Sequence, residues 1–148
     1  MSTDKVPVYV ILETEAVFAA PNERVWKQAT DYSSWQDYNS LETVAGEPGK
    51  VGEVVRMDKV GIPLPFYGRT VQLDPPRRIM WKIYPLEGTH PFGFVDYRLD
   101  DVEGGTRLSV RGVYEYLVPE DEVDEFTRQN SRSDALDPAL KKLKKLVE

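Results

Sequence analysis

Arg69, Tyr114 and His90 are the side chains of this sequence with the clearest potential for catalysis. A guanidinium binds a carboxylate or an enolate oxygen, a phenol donates a hydrogen bond or a proton to a carbonyl, and an imidazole exchanges protons near neutral pH. Together these groups would polarise a carbonyl without a metal. The chain has no Cys and one His, which excludes a thiol nucleophile and the common zinc sites.

Each of these candidates also has a structural interpretation. An inward-facing Arg69 must meet an anion, so an internal salt bridge is one alternative, and a shifted strand register that exposes the side chain is another. Arg56 has the same ambiguity. His90 lies between Thr89 and Pro91 in a predicted loop, where a His is commonly just solvated. These alternatives stay open from the sequence alone.

Strand alternation predicts an aromatic inner face for the sheet. Val71 and Leu73 are expected in the core, and Tyr67 and Arg69 then share their face because they lie at the same parity. The same rule turns Tyr114 inward on the last strand. The side chains predicted to line a ligand cavity are Phe66, Tyr67, Trp81, Ile83, Tyr97 and Tyr116, with Leu136 and Leu140 of the C-terminal tail. For each Tyr, core packing is the structural alternative.

A strand-rich chain must hold these residues in place. Residues 8–18 alternate between apolar and acidic side chains, as a half-buried strand does. A short helix is expected to begin near Pro21, and a second helical piece over residues 33–38 would bring Trp35 to the same side. Turns rich in Gly and Pro divide residues 41–117 into six further strands. Seven strands in all, with sequence neighbours paired, predict an antiparallel meander.

The C-terminal tail spaces its apolar residues at helical intervals. Leu136, Leu140, Leu143 and Val147 form one stripe, and lysines occupy the opposite face. Pro138 either kinks one long helix or begins a second one at its first turn. The tail is therefore expected to pack as a helix against the inner face of the sheet.

The meander predicts two different ends for the sheet. The loops at residues 60–66 and 86–92 and the passage at 117–120 should cluster, and they carry an unusual number of apolar side chains. This end is the expected ligand entrance. The opposite end, with the turn at residues 46–50, is charged and rich in Gly and Pro, and is expected to be solvated. It lacks the Lys-Ser/Thr pattern of a phosphate-binding loop.

Composition limits the remaining classes. The 148 residues suffice for one domain, residues 1–148, and 19 basic against 25 acidic side chains give a net charge of −6. That charge argues against nucleic acid as a partner and against an anionic membrane surface. The first apolar run ends too early for a signal peptide or a membrane-spanning helix, so we expect no membrane insertion and a cytoplasmic protein.

Four phrases occur in an order that resembles a known family: AAPNERVW at residues 19–26, GKVGEV at 49–54, LDPPRRI at 73–79 and GGTRL at 104–108. The sequence resembles the START/Bet v1-like (SRPBCC) superfamily, in particular its polyketide cyclase/dehydrase-like branch. The resemblance implies an α+β helix-grip fold. In that fold, a seven-stranded antiparallel sheet wraps around a long C-terminal helix, and two short helices follow the first strand. It also implies a central cavity for an apolar ligand. No cofactor is expected, because the sequence lacks metal-ligand clusters and a nucleotide-binding motif.

Three functions follow as expectations. The first is a cofactor-independent cyclase, dehydratase or lyase that folds an aromatic or polyketide-like substrate, with Arg69, Tyr114 and His90 as catalytic residues. The second is a carrier or sensor with the same pocket and no catalysis. The third is a protein-interaction module that uses the apolar rim. A monomer or a weak homodimer is expected in each case.

Overall fold

The computed structural model describes residues 4–31, 39–59, 66–86, 92–130 and 137–148, and these contain seven strands in one antiparallel sheet. The strands are β1 (Lys5–Phe18), β2 (Asn39–Ala45), β3 (Val54–Lys59), β4 (Phe66–Asp74), β5 (Arg78–Pro85), β6 (Phe92–Val102) and β7 (Gly105–Pro119). Their spatial order is β1-β7-β6-β5-β4-β3-β2. The predicted antiparallel meander is confirmed, and β1 completes it by pairing with β7.

Helices follow β1 and β7. The first is α1 (Asn22–Ala29), where Pro21 precedes the helix and its carbonyl accepts hydrogen bonds from the N–H groups of Arg24 and Val25. A 3-10 turn (Glu120–Glu122) leads from β7 into α2 (Val123–Asn130), and α3 (Asp137–Val147) ends the chain. No helix among the described residues is long and apolar enough to cross a membrane.

The helices differ from the sequence-based expectation. A single long C-terminal helix is not shown, because the structure describes α2 and α3 as separate helices and residues 131–136 lie outside the described ranges. Pro138 is the second residue of α3, where its missing N–H costs no hydrogen bond. The short helix expected over residues 33–38, with Trp35, also lies outside the described residues.

Alternating burial along β7 defines the inner face of the sheet. Every second residue from Thr106 to Val118 is buried, and the intervening side chains are partly or fully exposed. Leu140, Leu143 and Val147 of α3 are buried in the same core, as their helical spacing predicted. The inner face therefore packs against the helices, and the outer face is in contact with solvent.

The side-chain orientation predicted for β4 is wrong as far as Val71. Phe66, Gly68 and Thr70 are buried, whereas Arg69 and Val71 are exposed and Tyr67 is half-buried on the outer face. The pairing of β4 with β5 shifts register between Thr70 and Gln72. Such a bulge inserts one residue and reverses which parity faces the core. Leu73 packs against the core, but because of the bulge the residues two and four positions before it, Val71 and Arg69, do not face the same side.

Replacing Leu143 tests the packing of α3. Leu143 is 1% exposed, so we expect Leu143→Ala to lower the free energy of unfolding by about 2–5 kcal/mol because it leaves a cavity. The exposed Lys141 on the same helix is the control, and Lys141→Ala should change stability by less than about 0.5 kcal/mol. Urea unfolding measures both, and equal effects would contradict the packing of α3 on the sheet.

Candidate functional site

Three phenols lie side by side on the inner face of the sheet. Tyr97 of β6 and Tyr114 and Tyr116 of β7 are all buried, so their predicted inward orientation is confirmed. Each phenol packs against another aromatic ring. The pairs are Trp81–Tyr97 with ring centroids 4.9 Å apart, Phe66–Tyr114 at 5.4 Å and Tyr116–Phe126 at 5.4 Å. The inner face is thus an aromatic cluster that contains three hydroxyl groups, and we call it the phenol cluster.

Gly112 determines how Tyr114 lies in this cluster. A Cβ at Gly112 would stand 2.7 Å from Cε2 and 2.9 Å from the hydroxyl oxygen of Tyr114. The ring of Tyr114 therefore lies across the backbone of β7, in space that any other residue at position 112 would fill. On the neighbouring strands Tyr114 is opposite Val10 and Gly93. A small residue on its own strand and close strand pairing hold this phenol in the cluster.

Burial keeps the three phenols protonated. Desolvation raises the pKa of Tyr97, Tyr114 and Tyr116 well above the usual phenol value. For Tyr114 the charges that Tyr97 and Tyr116 would carry raise the pKa further. Neutral phenols donate hydrogen bonds and do not act as bases. The chemistry available here is donation of an O–H group to an acceptor such as a carbonyl.

Tyr116 has a buried hydroxyl group that no described residue satisfies. The residue is 3% exposed, and its hydroxyl oxygen has no hydrogen-bond partner among the described residues. A buried polar group without a partner costs about 1–3 kcal/mol. Buried polar groups of this kind are commonly satisfied by water, an ion or a bound molecule.

A cleft of about 490 Å³ reaches this hydroxyl-bearing residue from the surface. We call it the β7–α2 cleft, since the end of β7 forms one wall and α2 the other. Its lining includes Tyr116, Leu117, Phe126, Gln129 and the carboxylates of Glu122 and Glu125. The volume is within the range of about 300–1,000 Å³ for small-molecule sites. The cleft lies at the end of the sheet where the passage at residues 117–120 predicted an entrance.

Phe126 is the site residue that sequence reasoning missed. It contacts Tyr116 from α2 and lines the cleft, and Val123 packs beside it against the core. The spacing of Val123 and Phe126, three apart on a helix, is the signal that indicates an inward face.

Arg69 and Tyr114, two of the three predicted catalytic residues, lie on opposite faces of the sheet. Arg69 and Tyr67 lie on the outer face of the sheet, on the opposite side from Tyr114, so their predicted inward placement is wrong. Arg56 is likewise exposed. His90 and Leu136 lie outside the described residues.

Of the predicted lining residues, most are part of the buried core. Trp81, Ile83 and Leu140 are buried. Phe66 was expected at the rim of a loop, but it is the first residue of β4 and fully buried against Tyr114. A role in binding or catalysis stays a prediction for each of them.

The sequence matches the family described as polyketide cyclase / dehydrase and lipid transport over residues 9–148. No curated protein matches the sequence significantly. An uncharacterized protein from Rhizobium leguminosarum has a similar structure, with a TM-score of 0.67, 13% identity and 98% of each chain covered. Ara h 8.0201 superposes with a TM-score of 0.62 at 16% identity, over 95% of this chain and 98% of that chain.

DynU16, a protein in the dynemicin biosynthetic locus, has a TM-score of 0.61 at 20% identity. The similarity covers 91% of this chain and 46% of that chain. At these identities the structural likenesses show a common fold.

The raised phenol pKa values predict a loss of stability in alkaline solution. Unfolded Tyr ionises near pH 10, whereas folded Tyr114 holds its proton to higher pH. The unfolded state therefore binds fewer protons, and stability falls as pH rises above about 10, by up to about 1.4 kcal/mol per pH unit for each buried phenol. We expect Tyr114→Phe to reduce the fall of stability with pH by the contribution of one buried phenol. Urea unfolding between pH 9 and pH 11 measures it, and equal slopes in the two proteins would contradict the account.

Proposed function

Because the chain belongs to the polyketide cyclase/dehydrase and lipid transport family, within the START/Bet v1-like superfamily, we propose that it binds an apolar small molecule through the β7–α2 cleft. The ligand is neutral, aromatic or polyketide-like, and carries an oxygen acceptor. The observation that carries the proposal is the buried hydroxyl of Tyr116, which has no hydrogen-bond partner among the described residues and belongs to a side chain that lines the cleft. A ligand carbonyl that accepts this O–H would satisfy it.

The aromatic walls select the body of the ligand. Phe126 and Tyr116 present tilted rings 5.4 Å apart, and Leu117 extends the apolar surface at the mouth. Burial of an aromatic body against such side chains contributes about 25 cal/mol for each Å² removed from water. Ring edges and faces add a preference for a flat, unsaturated ligand.

The rim of the cleft selects its charge. Glu120, Asp121, Glu122, Asp124 and Glu125 occur within six consecutive positions beside the mouth. Glu125 is partly compensated by hydrogen bonds from Arg128 and Gln129, and the other four carboxylates are exposed. A carboxylate ligand would approach against this field. A neutral ketone, quinone or phenol is favoured over a fatty acid.

Catalytic conversion of the ligand is the second candidate function. Three phenols that stay protonated are suitable hydrogen-bond or proton donors for a cyclisation or dehydration. Such a reaction also needs a base. The carboxylates that line the cleft, Glu122 and Glu125, are exposed, and the one buried carboxylate among the described residues, Glu53, lines a different cavity. We therefore propose binding, as in a carrier or sensor, ahead of catalysis. Cytoplasmic location and oligomeric state stay predictions.

Affinity for 2-acetylnaphthalene, a neutral aromatic ketone, tests this proposal by isothermal titration calorimetry. We expect Phe126→Ala to weaken binding by about 10- to 100-fold, because a buried aromatic side chain contributes about 1.5–3 kcal/mol. Tyr116→Phe should weaken it by about 3- to 10-fold, the contribution of one hydrogen bond. No loss of stability is expected, because the deleted hydroxyl has no hydrogen-bond partner among the described residues.

The control variant is Phe94→Ala on the outer face, where the ring is 45% exposed, and it should leave the affinity unchanged. The matched anion 2-naphthoate should bind more weakly than the ketone. Wild-type affinity in both Phe126→Ala and Tyr116→Phe would contradict a site in the β7–α2 cleft.

A further inference from the structure

A second cavity, of about 340 Å³, lies at the other end of the sheet. The turn between β2 and β3 covers it, and the C-terminal end of α1 and the start of the turn after β4 close its sides. From the sequence, this end of the sheet was expected to be solvated. The cavity is separate from the β7–α2 cleft, and none of its lining residues belongs to the phenol cluster.

Glu53 is a buried carboxylate in the wall of this cavity. Its side chain is 2% exposed and accepts one hydrogen bond from the Thr43 hydroxyl at 2.5 Å and one from the Gly49 N–H at 2.9 Å. Within the described parts of the chain, no Lys or Arg lies within ion-pair distance of it. A carboxylate can accept about four hydrogen bonds, so half of this capacity is unused. Burying such a charge without a counter-ion is costly.

Thr70 places a second incompletely satisfied group beside Glu53. Its side chain is 1% exposed, lines the same cavity, and has a hydroxyl without a hydrogen-bond partner among the described residues. Backbone hydrogen bonds hold the two residues together: the Thr70 N–H donates to the Glu53 carbonyl at 2.9 Å, and the Gly52 N–H donates to the Thr70 carbonyl at 2.8 Å. Glu53 and Thr70 therefore both line this cavity, and the backbone holds them next to each other.

The remaining walls are mixed: Thr30, Asp31 and Lys50 add polar side chains, and the rest of the lining is mainly apolar. Trp26 of α1 is half-buried and contributes its indole, and Leu73 and Ile79 add aliphatic surface. An indole face attracts a cation, and aliphatic walls favour an organic body over a hydrated ion. A single buried carboxylate provides too few oxygen ligands for Ca²⁺ or Mg²⁺. Glu53 also opposes a phosphate or carboxylate, although the covering turn is rich in glycine.

We propose that this cavity binds a primary organic ammonium ion with a small apolar body. The ammonium group donates to the Glu53 carboxylate and to the Thr70 hydroxyl, and the apolar body packs against Trp26. The exposed amine of Lys50, at the rim of the cavity, is the internal competitor for Glu53. This second site is independent of the proposed function of the β7–α2 cleft.

Calorimetric titration with 2-phenylethylammonium at pH 7 and low salt tests the proposal, with 3-phenylpropionate as the anion of matched size. We expect the amine to bind and the anion not to bind. Glu53→Gln keeps both hydrogen bonds of the turn, since its amide oxygen accepts from Gly49 and its NH₂ donates to the Thr43 oxygen. It should nevertheless lower amine affinity at least tenfold.

Two further variants separate ligand binding from a purely structural role. Thr70→Val should lower amine affinity about 3- to 10-fold while the midpoint of thermal unfolding does not fall, because the hydroxyl has no hydrogen-bond partner in the part of the chain that the structure describes. Lys50→Met removes the internal competitor and should leave affinity equal or higher. A role of Glu53 only in holding the turn predicts no amine binding to the wild type.

Three results would overturn the proposal: no binding of the amine to the wild type, equal binding of amine and anion, or unchanged amine affinity in Thr70→Val. The last remains decisive if Glu53→Gln does not fold. Phe126→Ala should leave amine binding intact, and Glu53→Gln should leave binding of 2-acetylnaphthalene intact. These two controls distinguish failure of the proposed amine site from failure of the proposed function of the β7–α2 cleft.

Discussion

Strand β7 pairs with β1 along one edge and with β6 along the other, and this double pairing determines where the inner side chains lie. Its 15 residues alternate in burial without a bulge, so Tyr114 and Tyr116 point to the same side of the sheet. Gly112 leaves the space in which the Tyr114 ring lies across the strand. Any change that shifts the register of β7 by one residue would turn both phenols to solvent. The phenol cluster therefore depends on the pairing of this one strand.

The same regularity explains what the sequence could predict. Alternation identified the inner positions of β5, β6 and β7 correctly, among them Trp81, Tyr97 and Tyr114, because these stretches contain no bulge. In β4 the register shift between Thr70 and Gln72 reversed the parity and placed Arg69 outside. Gly68 and Thr70 have no large apolar side chain, so the sequence does not indicate that they face the core. Met57 and Trp81 fill the space above Gly68.

Tertiary contacts account for the features that alternation could not predict. The spacing of Val123 and Phe126 indicates an inward face of α2, but the contact of Phe126 with Tyr116 depends on α2 packing back onto the end of β7. In the sequence Glu53 is indistinguishable from an exposed turn residue. In the fold it is buried under the β2–β3 turn, next to Thr70. In both places a polar group is buried with part of its hydrogen-bonding capacity unused. The two ends of the sheet thus offer recognition of opposite kinds, an O–H donor at one end and a carboxylate acceptor at the other.

The central claim is that an apolar ligand enters beside α2 and reaches the hydroxyl of Tyr116. Intermolecular nuclear Overhauser effects between bound 2-acetylnaphthalene and assigned aromatic protons of the protein test it most directly. The account predicts contacts from the naphthalene protons to the Phe126 ring and from the acetyl methyl group to the Tyr116 ring. Contacts confined to exposed outer-face rings such as Tyr9 and Phe94, at saturating ligand, would contradict it.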